Sequence, residues 1–143
     1  MEIKETNYTI RLVDPDRDYA LFKEWWPAHG HAGVDRAILP QLGVMVQLGE
    51  EPMGALWLYM DNSVGVCFAE HPVTRPGLSL GQAREVFRLA IDYLKLAAKE
   101  MDYGFMVVRT PPAIARILEG MGFIRDQENM VSMLGMTGDS HGR

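Results

Sequence analysis

Residues 74–82, Thr-Arg-Pro-Gly-Leu-Ser-Leu-Gly-Gln, bring a cation and two glycines to the entrance of a helix. The first N–H groups of a helix have no partners within it, and the helix dipole favours negative charge there. Arg75, Gly77, Ser79 and Gly81 therefore have the chemistry of an anion site. A second cluster, Trp25, Trp26, His29 and His31, sets aromatic faces and imidazoles together, which suits the enclosure of a cationic amine. Consecutive tryptophans on a helix point about 100° apart, so one is expected in the core and the other exposed or in a cleft. The His-x-His spacing also suits a metal, but no third ligand lies nearby in the sequence, and no metal site is expected. Glu70 and His71 close an apolar run and are the candidate proton acceptors. Cys67, just before them, reads as a small buried hydrophobe.

The rest of the composition narrows the function. The 143 residues carry 14 Lys+Arg against 19 Asp+Glu, a net charge of -5. Nucleic acid leaves a basic footprint, which is absent, so cationic or small neutral partners are favoured. One cysteine excludes an intrachain disulfide and a Cys-based zinc site. The polar opening and the lack of a long apolar run point to a cytoplasmic protein without a membrane span.

These groups need elements to hold them. Residues 8–13 alternate as a strand. Residues 14–26 form a helix capped by Asp14 or Asp16, with Pro15 in its first turn and Pro27 ending it. A loop over 28–42 contains one helical turn near Asp35–Leu39. Three strands follow in a meander, at 43–48, 53–60 and 64–70. Ser79 and Gln82 make a capping box, so a long amphipathic helix starts at Leu80. Gly104 fits its C-terminal cap. Residues 105–110 read as a short strand buried on both faces, parallel to an earlier one. Thr110 caps a last helix, which begins at Pro111 and turns Ile114, Ile117 and Leu118 inward. Residues 128–136 read as a final strand. One domain is expected over 1–136, with a flexible tail over 137–143.

This order, with the terminal Gly-Phe of Phe-Met-Val-Val-Arg-Thr-Pro-Pro-Ala-Ile-Ala-Arg-Ile-Leu-Glu-Gly-Met-Gly-Phe (105–123), resembles the GNAT superfamily of N-acetyltransferases over about residues 8–136. It looks like a divergent member, of the drifted kind found in phage genomes. The resemblance implies an α/β fold with a mixed, mostly antiparallel sheet, flanking helices and a splayed strand pair at its centre. It implies acetyl-CoA as donor, its pantetheine arm along Cys67, Phe68 and Ala69 and its pyrophosphate on Arg75, Gly77, Leu78, Ser79, Leu80 and Gly81. Thr110 stands where an Asn often follows the buried strand. Glu70 takes the place of the general base, with His71 beside it, and Trp25, Trp26, His29 and His31 face the acceptor. The sequence departs from the pattern at Leu78 and Leu80, where glycines are usual, and at Leu118, where a tyrosine acid is usual. Tyr103 or water would then supply that proton.

The implied activity is acyl-CoA-dependent transfer to a primary amine of a small molecule or protein, within a ternary complex. Neither nucleic acid nor membrane is a partner, and a homodimer through an exposed terminal strand fits the family. The alternative implied by the lost glycines and tyrosine is a non-catalytic binding or assembly module on the same scaffold. No Gly-x-Ser-x-Gly motif supports an enzyme of another class.

Overall fold

The computed structural model describes residues 7–138 and divides into two compact units, one up to Pro111 and one from Pro112. The first unit is built on a five-stranded sheet in the order β1-β2-β3-β4-β5. Its strands are β1 (Tyr8–Leu12), β2 (Gly43–Leu48), β3 (Glu51–Met60), β4 (Val66–Thr74) and β5 (Phe105–Val108). The first four pair antiparallel, and β4 and β5 pair parallel. The mixed, mostly antiparallel sheet with flanking helices is the fold class expected from the sequence.

Helix α1 (Pro15–Ala28) starts where Asp14 caps it, the Asp14 side chain accepting from the Asp16 N–H at 3.1 Å. It runs two residues beyond its expected end. Pro27 falls in the last turn, where the loss of one N–H does not stop the helix. Both tryptophans are buried, Trp25 at 4% and Trp26 at 3% exposure, so the expectation that one of them faces solvent or a cleft is corrected. The cause is the width of the α1 stripe. Phe22, Trp25 and Trp26 all pack with Met45, Ala55, Trp57 and Val73, the Phe22 and Trp57 rings meeting edge to face at 4.9 Å.

Alternation along β3 turns Trp57 and Tyr59 to the α1 side and Gly54, Leu56 and Leu58 to the other. Helix α2 (Leu80–Glu100) packs there. A Cβ at Gly54 would stand 2.6 Å from Val86 Cγ1, so the glycine lets α2 approach the sheet. The capping box at its start is formed as read, by Ser79 and Gln82. At its end the left-handed residue is Asp102 (φ 65), not Gly104, whose N–H instead reaches the Gly65 carbonyl.

Strand β5 is less buried than expected. Among the described residues no strand lies beyond it, and Phe105 is 73% exposed. In the second unit, helix α3 (Pro112–Gly120) starts one residue later than expected, and Leu118 is its buried residue. The final strand expected at 128–136 does not form. Met130, Val131, Met133, Leu134 and Met136 are each at least 70% exposed, and the run makes no backbone ladder. Of the expected tail, residues 139–143 lie outside the described residues. Among the described residues no helix is long and apolar enough to cross a membrane.

Candidate active site

The expected acid–base pair sits on a β-bulge. Trp57 pairs with Glu70 and Ala55 with Val73, so Leu56 alone opposes His71 and Pro72. His71 takes the left-handed conformation, φ 60. In a regular strand Glu70 and His71 would point to opposite faces. The bulge re-aims the second of them. Glu70 lies on the Trp57 and Tyr59 face, opposite Trp57, and the His71 ring meets the Tyr59 ring edge to face at 5.7 Å. His71 Nε2 is 2.9 Å from Tyr59 Oη. Two consecutive titratable side chains thus serve one side of the sheet.

Glu70 is 8% exposed and its carboxylate is occupied. Arg109 Nε donates to Oε1 at 3.0 Å and Nη2 donates to Oε2. The parallel register explains the meeting: Ala69 pairs with Val108, and the next residues on the two strands are Glu70 and Arg109. The ion pair raises the Arg109 guanidinium still further above its ordinary range. Burial pushes His71 below the usual imidazole value; Glu70 opposes that shift, and His31 and Arg109 add to it. Burial also raises Tyr59, and Glu70 adds to the rise.

Cys67, Phe68 and Ala69 pair with Met60, Tyr59 and Leu58 on one side and with Met106, Val107 and Val108 on the other. Cys67 is fully buried, and burial raises its thiol. Beyond Val108, β5 stops and β4 continues through Glu70–Thr74 with β3 on one side only. Thr110 follows that stop. Its hydroxyl was expected to cap α3, but the helix starts at Pro112 and Thr110 Oγ1 is buried without a hydrogen-bond partner. An orphaned buried hydroxyl costs about 1–3 kcal/mol unless something satisfies it.

The approach to α2 is open. Gly77 has φ 87, and neither there nor at Gly81 would a Cβ meet anything within 4 Å. Ser79 Oγ accepts from the Gln82 N–H, and Gln82 Oε1 accepts from the Ser79 N–H, both at 3.1 Å. That leaves the Leu80 and Gly81 amides as the first-turn donors with no partner in the helix. The first turn contains no acidic residue. Leu80 is 67% exposed, and Leu78 is half-buried. Arg75 pairs with Glu51 at 2.6 Å. These observations fit a CoA-type thioester: a one-sided strand end, an orphaned hydroxyl at Thr110, and free amides with a cation before them.

The acceptor-side residues separate. Trp25 and Trp26 belong to the core. His29 Nε2 donates to the Thr74 carbonyl at 2.8 Å, pinning the end of α1 to the end of β4. His31 is exposed, and its Nδ1 accepts from the Gly33 N–H at 3.0 Å. Two shallow hollows, of about 160 and 340 Å³, adjoin α1 and the loop after it; neither includes Glu70 or His71. Among the described residues no group of three His, Cys, Asp or Glu could hold a metal.

Tyr103 stands at the other end of β4 from Glu70. Its hydroxyl donates to the Asp61 carbonyl at 2.8 Å, before the start of β4, and Val66 to Glu70 spans about 13 Å. Tyr59 and Arg109 were not singled out from the sequence. Arg109 ends an apolar strand one residue after the apparent match to Ala69, so the β4–β5 register would have found it. Tyr59 needed the bulge, which has no local sequence mark.

No family model and no curated protein matches the chain. Solved structures do. A ribosomal-protein-alanine N-acetyltransferase from Brucella melitensis biovar Abortus 2308 is 18% identical with a TM-score of 0.61, covering 90% of this chain and 99% of its own. An aminoglycoside acetyltransferase from an uncultured soil metagenomic sample, in complex with sisomicin, is 11% identical with a TM-score of 0.61, covering 93% and 97%. The N-acetylglutamate synthase of Neisseria gonorrhoeae, complexed with coenzyme A and N-acetyl-glutamate, is 15% identical with a TM-score of 0.56, covering 82% of this chain and 28% of its own. The fold is shared with these acetyltransferases.

Proposed function

We propose that the chain is an acyl-CoA-dependent N-acyltransferase that moves an acetyl group to a primary amine of a small molecule or a protein. The observation that carries this is the one-sided end of β4, residues 70–74, running directly into the open amides of α2. Acetyl-CoA supplies an activated thioester when bound. Arg75, released from Glu51, and the Leu80 and Gly81 amides hold its pyrophosphate, with Gly77, Leu78 and Ser79 shaping the turn. The arm runs along residues 70–74, beyond Cys67, Phe68 and Ala69, whose ladder positions are filled on both sides. Thr110 offers its orphaned hydroxyl. His31 and the loop after α1 face the amine, and Glu70 and His71 mark where its proton is taken. The acetyltransferases of similar fold support the donor class.

A second reading, a binding module without turnover, draws on one observation: β4 and β5 stay paired through Ala69 and are bridged beyond it by Glu70 and Arg109. Titration calorimetry with acetyl-CoA separates the two. The enzyme reading expects micromolar binding that weakens at least tenfold in Arg75→Glu, followed by acetylation within a panel of primary amines that includes sisomicin and an alanine-terminated peptide. A folded wild type that binds no acetyl-CoA at millimolar concentration leaves the module.

A further inference from the structure

The protons around Tyr59 can be counted. A phenol has one proton to donate. Tyr59 Oη gives it to the Ile38 carbonyl, 2.5 Å away. The 2.9 Å contact between Oη and His71 Nε2 is therefore a hydrogen bond only if Nε2 carries the proton and the phenol oxygen accepts it. The relay Nε2–H to Oη, O–H to Ile38 carbonyl fixes the tautomer of neutral His71 and leaves the lone pair on Nδ1. Among the described residues, Nδ1 has no hydrogen-bond partner. The neighbouring carboxylate is engaged instead by a cation, both Glu70 oxygens accepting from Arg109.

From this geometry, and resting on the acyltransferase reading, we infer that His71 Nδ1 is the general base and that Tyr59 is the positioning residue that holds it in the basic tautomer. The amine's C–N bond forms as the thioester's C–S bond breaks, and the amine's second proton leaves with the thiolate as a thiol. To free the amine for this, one N–H bond of the substrate ammonium breaks, one forms at Nδ1, and the imidazolium keeps its Nε2–H on Tyr59. The proton then passes to water and the base is restored. Glu70 and Arg109 tie the ends of β4 and β5 beside the ring. Around it stand Glu70, Arg109, Tyr59 and His31; burial, which dominates, disfavours its charged form. Ile38 belongs to the short 3-10 turn Arg36–Ile38, so the relay also makes the loop after α1 a determinant of the base.

The test has a readout independent of turnover. Long-range proton–nitrogen NMR of the wild type should show His71 as the Nε2–H tautomer, and Tyr59→Phe should give a mixture. In rate measurements with acetyl-CoA and the best amine of the panel, His71→Asn should lower kcat about 100-fold and abolish the acidic limb of the pH profile. Asn tolerates the left-handed backbone at 71, so loss of folding does not cloud the result. Tyr59→Phe should lower kcat about tenfold with the KM for acetyl-CoA unchanged, and Glu70→Gln should keep the limb. An Nδ1–H tautomer in the wild type, or a limb that survives His71→Asn and vanishes in Glu70→Gln, overturns the inference. The Nε2–H tautomer in a protein that binds no acetyl-CoA overturns the acyltransferase reading, and with it the role of base, while leaving the tautomer assignment in place.

Discussion

Among the described residues, the two buried carboxylates are both locked to arginines, and they do different work. Glu70 pairs with Arg109 where β4 and β5 part. Asp18, 1% exposed, belongs to the first turn of α1, accepting from Arg11 Nη1 and Nη2 at 2.7 and 2.9 Å and from the Asp14 N–H at 2.9 Å. Burial alone would raise the Asp18 carboxyl, but these bonds from Arg11 and Asp14 hold it below the usual value. A group whose folded pKa is depressed stabilises the fold above its unfolded value, about 4, and loses that contribution as pH falls through the folded one. Asp18→Asn should therefore cost about 3 kcal/mol at pH 7, because the buried hydrogen bonds lose their charge and Arg11 its partner. Urea unfolding across pH checks both the size and the sign: the gap between wild type and variant should narrow below pH ~4. A gap independent of pH would mean that Asp18 acts by shape alone.

Among the elements, the contact between α2 and the sheet depends on Gly54. A Cβ there meets not only Val86 Cγ1 at 2.6 Å but also the Val73 carbonyl at 3.0 Å, and a backbone atom does not give way easily. Gly54→Ala should destabilise the protein by about 1–3 kcal/mol through this overpacking, measured by denaturant midpoint. Val86→Ala in the same chain should return part of the loss, since the nearer clash is with a side chain. A Gly54→Ala variant as stable as wild type would show that α2 is free to shift. Such elements were largely legible in the sequence where their signals are local: the capping box at Ser79 and Gln82 and the β2 strand at 43–48 formed as read, and Asp14, one of the two caps offered, starts α1. What escaped depends on distant partners. Nothing near Glu70 announces Arg109, because only the parallel register brings residues 39 positions apart together. Nothing near His71 announces its positive φ, since histidine is an ordinary residue in a strand until the bulge places it. The absent strand at 128–136 is the converse case, a segment whose apolar composition reads as a strand and forms no ladder.

For the whole molecule, the division after Pro111 gives ligand binding a spectroscopic address. The three tryptophans, Trp25, Trp26 and Trp57, all belong to the first unit, as do β4, the start of α2 and Thr110. Tryptophan fluorescence therefore reports the unfolding of the unit that would hold the donor and is blind to residues from Pro112 on. A ligand that binds only the folded state stabilises it by about 2.7 kcal/mol at a hundred times its Kd, which for a chain of this size raises the melting temperature by roughly 8 °C. Acetyl-CoA faces a protein of net charge -5, so long-range attraction is not the source of any gain; the local amides and Arg75 must supply it. The fluorescence-detected transition should rise with acetyl-CoA and rise much less in Arg75→Glu, while circular dichroism of any separate transition stays put. An equal rise in both proteins would move the pyrophosphate away from the α2 entrance. A wild type whose tryptophan transition ignores millimolar acetyl-CoA would leave the first unit without a donor site.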